Sequence, residues 1–180
     1  MALTDDTKIM LQAAVVLVNS GVVGHDTLAT VEELDAWYAD HMFTEHRSAG
    51  EDELESVRAV RPVLYQLLSA PRDDAAALVN ELLAEAGAVP QLVRHGPWDW
   101  HLHAVPEHAA PATRIVVDTA MAMLDVVRDD EMSRFGVCAD EDCDGIVLDL
   151  SRNRSKRFCS TACGNRNAVA AYRARQAGDS

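Results

Sequence analysis

CADEDCDGIVLDLSRNRSKRFCSTACGNR, residues 138–166, holds all four cysteines of the chain: Cys138, Cys143, Cys159 and Cys163. Their pattern is C-x4-C-x15-C-x3-C. Two close pairs joined by a linker are what a tetrahedral zinc site needs, because each pair forms one edge of the tetrahedron and the linker folds back. The competing reading is a pair of disulfides. It requires an oxidising compartment, and the N-terminal MALTDDTKIML has no basic stretch followed by an apolar core to direct export. The residues between the ligands also have readable roles. ADED and Asp144-Gly145 are turn-forming, as a knuckle that aims backbone amides at sulfur requires. IVLDL (146–150) reads as a strand, SRNRS as a turn, and KRF (156–158) as a returning strand. Ser160 is a candidate cap for a helix over TACGNRNAVAAYRARQ, with Cys159 just ahead of it and Cys163 in its first turn. A hairpin followed by a ligand-bearing helix N-terminus is treble-clef-like, and the helix dipole there favours thiolates. The expected cofactor is one structural Zn2+.

Charge separates this module from the rest. Residues 1–150 carry 9 Lys and Arg against 28 Asp and Glu, a net −19, while residues 151–180 carry 7 cations and one acid, a net +6. The cations are Arg152, Arg154, Lys156, Arg157, Arg166, Arg173 and Arg175. Some of them can neutralise the thiolate cluster and hydrogen-bond to sulfur. A basic turn beside a basic helix also suits phosphate contact, with the helix entering a groove. All seven are therefore candidate nucleic-acid ligands.

Upstream, the pattern is helical. KIMLQAAVVLVNSG is an apolar run that glycines 21 and 24 can stop. Thr30 and Glu33 form a capping box ahead of Leu34, Trp37, Tyr38 and Met42. Val57, Val60, Leu64, Leu67 and Leu68 share a face that Pro62 interrupts, which predicts a kink or restart. RDDAAALVNELLAEAGAVP is a further helix ending at Gly87 and Pro90. PQLVRHGPWDWHLHAVP reads as a short hairpin about Gly96-Pro97. PATRIVVDTAMAMLDVVRDDEMSRF is a long helix with Val116, Ala120, Met123 and Val127 on one face, expected to pack against both parts of the chain. The fold class is thus mainly α with a short β-hairpin (α+β): a helical domain over 1–134, then a small zinc module over 135–180.

Cys163-Gly164-Asn165-Arg166, with LDLSRNRSKRFCSTA and CADEDC before it, resembles the CGNR zinc-finger family of bacterial proteins over about residues 136–176. Upstream, LVNS, DTLATVEELDAWY, LYQLL and LVNELLAEA are similar in order to the ABATE domain, described as a stress-induced transcription regulator. The resemblance implies a DNA-binding finger attached to a sensory or ligand-binding helical domain, with the four cysteines as ligands. The family has a VNT-like run where this chain has Val18-Asn19-Ser20.

Three further residues are candidates for a small-molecule effector site. Asn19 ends an apolar helix, where it can cap or hold a ligand. Trp98 and Trp100 share one strand face and can wall a pocket, whereas His101 and His103 share the other and can bind a metal. No serine-hydrolase elbow, P-loop, dinucleotide fingerprint or zincin motif occurs, and a four-cysteine zinc has no open position for water. The chain is read as a non-enzyme, a cytoplasmic DNA-binding regulator with no membrane segment. DNA ranks above RNA because the tail offers only Phe158 and Tyr172 for base stacking. A protein-docking module is the alternative, and a homodimer would strengthen weak binding by a single finger.

Overall fold

The computed structural model describes residues 3–22, 26–41, 47–94 and 99–178. Among the described residues, six α-helices build the body: α1 (Asp5–Asn19), α2 (Val31–Asp40), α3 (Glu51–Ala59), α4 (Arg61–Ser69), α5 (Arg72–Glu85) and α6 (Pro111–Arg128). A hairpin of β1 (Gln91–Val93) and β2 (His101–His103) lies between α5 and α6. The C-terminal module follows as β3 (Phe135–Val137), β4 (Ile146–Leu148) and α7 (Thr161–Gly178).

Local chemistry sets the boundaries. Thr4 caps α1, its hydroxyl accepting from the Thr7 amide. The capping box of α2 is present in both directions: Thr30 Oγ1 accepts from the Glu33 amide at 3.3 Å, and Glu33 Oε2 accepts from the Thr30 amide at 3.1 Å. Pro62 restarts the chain as expected, with α3 ending at Ala59 and Pro62 in the first turn of α4, where its missing N–H is harmless. Gly87, at φ +58, turns the chain out of α5 in the left-handed conformation that glycine adopts without cost.

One core joins these elements. Leu11 and Leu17 of α1, Leu34 and Trp37 of α2, Leu54 and Val57 of α3, and Leu64, Leu67 and Leu68 of α4 are buried together with Met123 and Val126 of α6. Helix α6 packs against α1, α3, α4 and α5, so it is buried over more than one stripe. Ile115, Val117 and Val126 are buried, while Val116 and Val127, which the one-face pattern places inward, are half-buried.

Helices α1 and α4 lie against β3 and β4. The buried side chains of Ile146 and Leu148 belong to the body's own core, which Met123 and Val126 of α6 share. One correction concerns the finger hairpin. KRF does not form a strand; β4 pairs antiparallel with β3, Gly136 opposite Val147, so the first cysteine pair forms the hairpin's turn. The backbone of KRF is engaged elsewhere: the Lys156 amide donates to Asp149 Oδ2 at 2.7 Å, and the Arg157 carbonyl accepts from the Ala139 amide at 2.8 Å. The first hairpin has Leu92 opposite Leu102, as the alternation suggests. Its turn residues Gly96 and Pro97, together with Trp98 and Met42, lie outside the described residues.

Candidate metal centre and basic surface

The four cysteines come together at the end of the β3–β4 hairpin and the start of α7. Each offers a sulfur, and the four sulfurs lie within 4.8 Å of one another. Cys143 Sγ is 3.5 Å from Cys159 Sγ, which is 3.7 Å from Cys163 Sγ. Ligands at about 2.3 Å from a tetrahedral ion stand about 3.8 Å apart, whereas a disulfide requires about 2.05 Å. The donor set therefore fits Zn2+ and excludes a bridge between these pairs.

Backbone and guanidinium groups aim at the sulfurs. The Gly145 amide donates to Cys143 Sγ at 3.4 Å, and the Cys159 amide to Cys138 Sγ at 3.4 Å. Arg166 donates to Cys163 Sγ at 3.2 Å and, through both Nε and Nη2, to Asp140 Oδ2 at 3.0 and 2.7 Å. Burial pushes the Cys143 and Cys159 thiols up. Burial also opposes ionisation of Cys138, but the Cys159 amide and further hydrogen bonds prevail and lower it. A cation bound among the thiols would replace the solvation that burial removes.

Helix α1 reaches this centre through one side chain. The Asn19 amide donates to the Ile146 carbonyl at 2.8 Å and accepts from the Ile146 amide at 2.7 Å. Asn19 therefore acts as a one-residue strand on the outer edge of β4. It is not the helix cap: Ser20 is, its amide returning to the Val16 carbonyl at 2.9 Å. No feature of the sequence near Asn19 names Ile146, 127 positions away, as its partner. Arg134 secures the same junction, donating to the Asp149 and Ser151 carbonyls at 3.1 and 3.2 Å and pairing with Glu131 at 2.7 Å.

The chain belongs to the ABATE family. The family model, described as "Putative stress-induced transcription regulator", matches residues 11–130, and the CGNR zinc-finger model matches residues 134–176. No curated protein matches the chain. The ABATE match runs from Leu11 within α1 past the end of α6, and the CGNR match begins at the residue before β3, so the boundary between the two models falls where the polypeptide changes from body to finger.

The seven cations of the finger divide into two groups. Arg166 supports the centre. Arg154, in the left-handed region at φ +47, is bound to Glu131 and Ser133. Lys156 donates through Nζ to the Leu148 carbonyl at 3.3 Å. Arg152, Arg157, Arg173 and Arg175 are exposed and make no ion pair among the described residues. Arg157 rests by the Phe158 ring, 5.8 Å from its centroid. From Ala168 to Gln176 every residue of α7 is exposed, including Val169 and Tyr172 at 48% and 57%. Beside it is a hollow of about 710 Å3, whose lining includes Asp140, Glu141, Asp142, Arg166 and Arg173.

A second hollow, of about 790 Å3, is lined by residues of both the ABATE body and the finger. Asn19 and Val16 of α1, His41, Leu148, Lys156 and Cys159 are among its lining residues. Asn19 thus lies at a cavity, but its amide is committed to Ile146. Trp100 is 63% exposed with Arg94 over its ring, and it lines neither hollow. Among the described residues, no helix is long and apolar enough to cross a membrane.

Proposed function

We propose that the protein is a cytoplasmic DNA-binding transcription regulator in which the CGNR finger, held by one structural Zn2+, presents α7 to duplex DNA. One observation carries this reading. Residues 168–176 of α7 are exposed, and they bear Arg173 and Arg175 in a stretch, 151–176, without any acidic residue. A major groove accommodates a helix that presents its surface in this way. Arg152 and Arg157 add exposed charge from the preceding loop. Glu141 and Asp142 beside the Arg166–Arg173 face repel phosphate there, which favours approach along the side of Arg175.

Zinc supplies the folding energy of a module too small for a sufficient core of its own. We read the protein as one that binds rather than one that catalyses. The hollow between body and finger is the natural place for a small-molecule effector, since an occupant there touches both α1 and the loop leading into α7. The exposed Val169 and Tyr172 favour a second reading, a protein-docking helix, either for another protein or for a second copy.

The test is binding of zinc-loaded protein to duplex DNA fragments, with RNA as competitor, across a salt series. Binding to DNA is expected to weaken steeply with salt. Replacing Arg173 and Arg175 by Ala should lower the slope of log K against log salt by about 0.9 for each phosphate that is no longer neutralised. Absence of binding to either nucleic acid at low salt, with zinc retained, would transfer the case to the protein-docking reading.

A further inference from the structure

We propose that α7 and the turn over residues 140–142 form a self-association surface, on which a second copy of the chain lays its own α7 antiparallel. The hollow beside α7 is lined by Ala162, Asn165, Val169, Ala170 and Arg173, together with the acids of the turn. The helix positions recur at spacings of three and four, so they form one face. Asp140 and Arg166 already satisfy each other. Glu141, Asp142 and Arg173 are exposed and make no ion pair among the described residues. Val169 lies one turn before Arg173 and is 48% exposed, and Tyr172 on the adjoining side is 57% exposed.

Charge complementarity selects the second copy. A face with free acids at one end, a free arginine at the other and an apolar centre complements its own image under two-fold rotation. The register follows from the helix. The turn sits at the N-terminal end of the face, where Asp140 holds Arg166, and Arg173 lies about two turns further on. Two α7 helices packed antiparallel about Val169 bring position 173 of each against position 165 of the other. Arg173 of each copy then meets Glu141 and Asp142 of the other, Val169 covers Val169, and the two helix dipoles are opposed. Ala162 and Ala170 leave room for close packing of the axes. The acids that turn phosphate away from this side therefore suit an incoming guanidinium. Arg175 is six residues past Val169, about 120° round the helix, and stays free. The contact is one helix face and one turn, so it belongs with weak, small interfaces, and dilute protein is monomeric with α7 uncovered.

The experiment is sedimentation velocity of the full zinc-loaded chain, without nucleic acid, from about 1 μM to about 1 mM. Physiological ionic strength screens the repulsion between two chains of net −13 beyond about 8 Å. The expected result is a monomer that becomes a dimer as concentration rises. Arg173→Glu, and separately Glu141→Lys/Asp142→Lys, should remain monomeric where the parent dimerises, because each sets like charges against each other at both contacts. An equimolar mixture of the two variants should recover the dimer, since the mixed pair has opposite charges at both contacts. Zinc content and helical signal are measured for each variant. Arg173 lies about three turns beyond Cys163, so Arg173→Glu keeps the test valid even if the substituted turn loses zinc. A parent chain that stays monomeric throughout would overturn the proposal and leave the face to a different protein. So would a dimer that Arg173→Glu forms as readily as the parent, which would be made through another surface such as the exposed Leu92 and Trp100 of the first hairpin. Folded, zinc-retaining variants that fail to pair when mixed would also contradict it. With no DNA present, none of these outcomes bears on the DNA reading.

Discussion

A Cβ on Gly145 would lie 2.8 Å from Cys159 Sγ and 3.3 Å from Asn19 Oδ1. No other residue type fits between a zinc ligand and the side chain that ties the finger to the body. Gly145→Ala is therefore expected to disturb both, and to accelerate zinc transfer to a chromogenic chelator relative to the parent. Gly164, inside the CGNR tetrapeptide, is the reverse case: a Cβ there meets Phe158 at an ordinary 3.6 Å. Gly164→Ala is expected to retain zinc and to stabilise α7 by about 0.5–1 kcal/mol, read as a higher thermal midpoint. Asn19 has no such tolerance. Asn19→Ala leaves the amide and carbonyl of Ile146 without their partner and should cost about 2 kcal/mol in chemical denaturation. Asn19→Asp should recover less than the full amount, because a carboxylate accepts from the Ile146 amide but faces its carbonyl without a proton. At this scale the sequence is legible for the ligands, whose spacing is imposed by the ion. It is not for Asn19 or Gly145, whose demands come from partners distant along the chain.

The loop from β4 to α7 depends on one carboxylate. Asp149 accepts from the Ser151 amide at 2.8 Å and the Lys156 amide at 2.7 Å, and the Ser151 side chain together with these two amides holds its pKa at about 2. Asp26 in the body is likewise held at about 2, by the paired bonds of Arg61 and by Arg58. A carboxylate lowered in the folded state stabilises fully above its unfolded value of about 3.9 and ceases to do so as pH falls to about 2. The parent should therefore lose stability over that window. Asp149→Asn, which cannot accept with both atoms, should show a shallower loss in acid denaturation followed by circular dichroism. Helices and capping are readable at this level because they follow local rules: the Thr30–Glu33 box and the Pro62 restart stand where the pattern puts them. The partner of β4 is not. IVLDL has apolar candidates on both sides, and the choice of Phe135–Val137 depends on which segment the body's core admits.

Across the whole molecule, the finger is fastened to the ABATE body more firmly than its charge suggests. A net −19 over residues 1–150 and +6 over the rest describe two surfaces, yet Ile146 and Leu148 lie in the body's core and Asn19 holds their strand. Removing zinc should therefore lower the thermal midpoint of the body as well as unfold the finger, in a single coupled transition seen by both tryptophan fluorescence and helical signal. A body midpoint unmoved by chelation would mean that the shared core carries little energy. The half of α7 beyond Asn167 stands outside this coupling. It is about three turns of Ala-rich helix, exposed over residues 168–176, and helices of that length are marginal in water. Its amides should exchange rapidly in the free protein. The decisive measurement is hydrogen exchange of the zinc-loaded chain with and without saturating duplex DNA. Protection appearing over residues 168–176 is the expected result. DNA that binds while this segment continues to exchange as in the free protein would rule out α7 as the element that enters the groove.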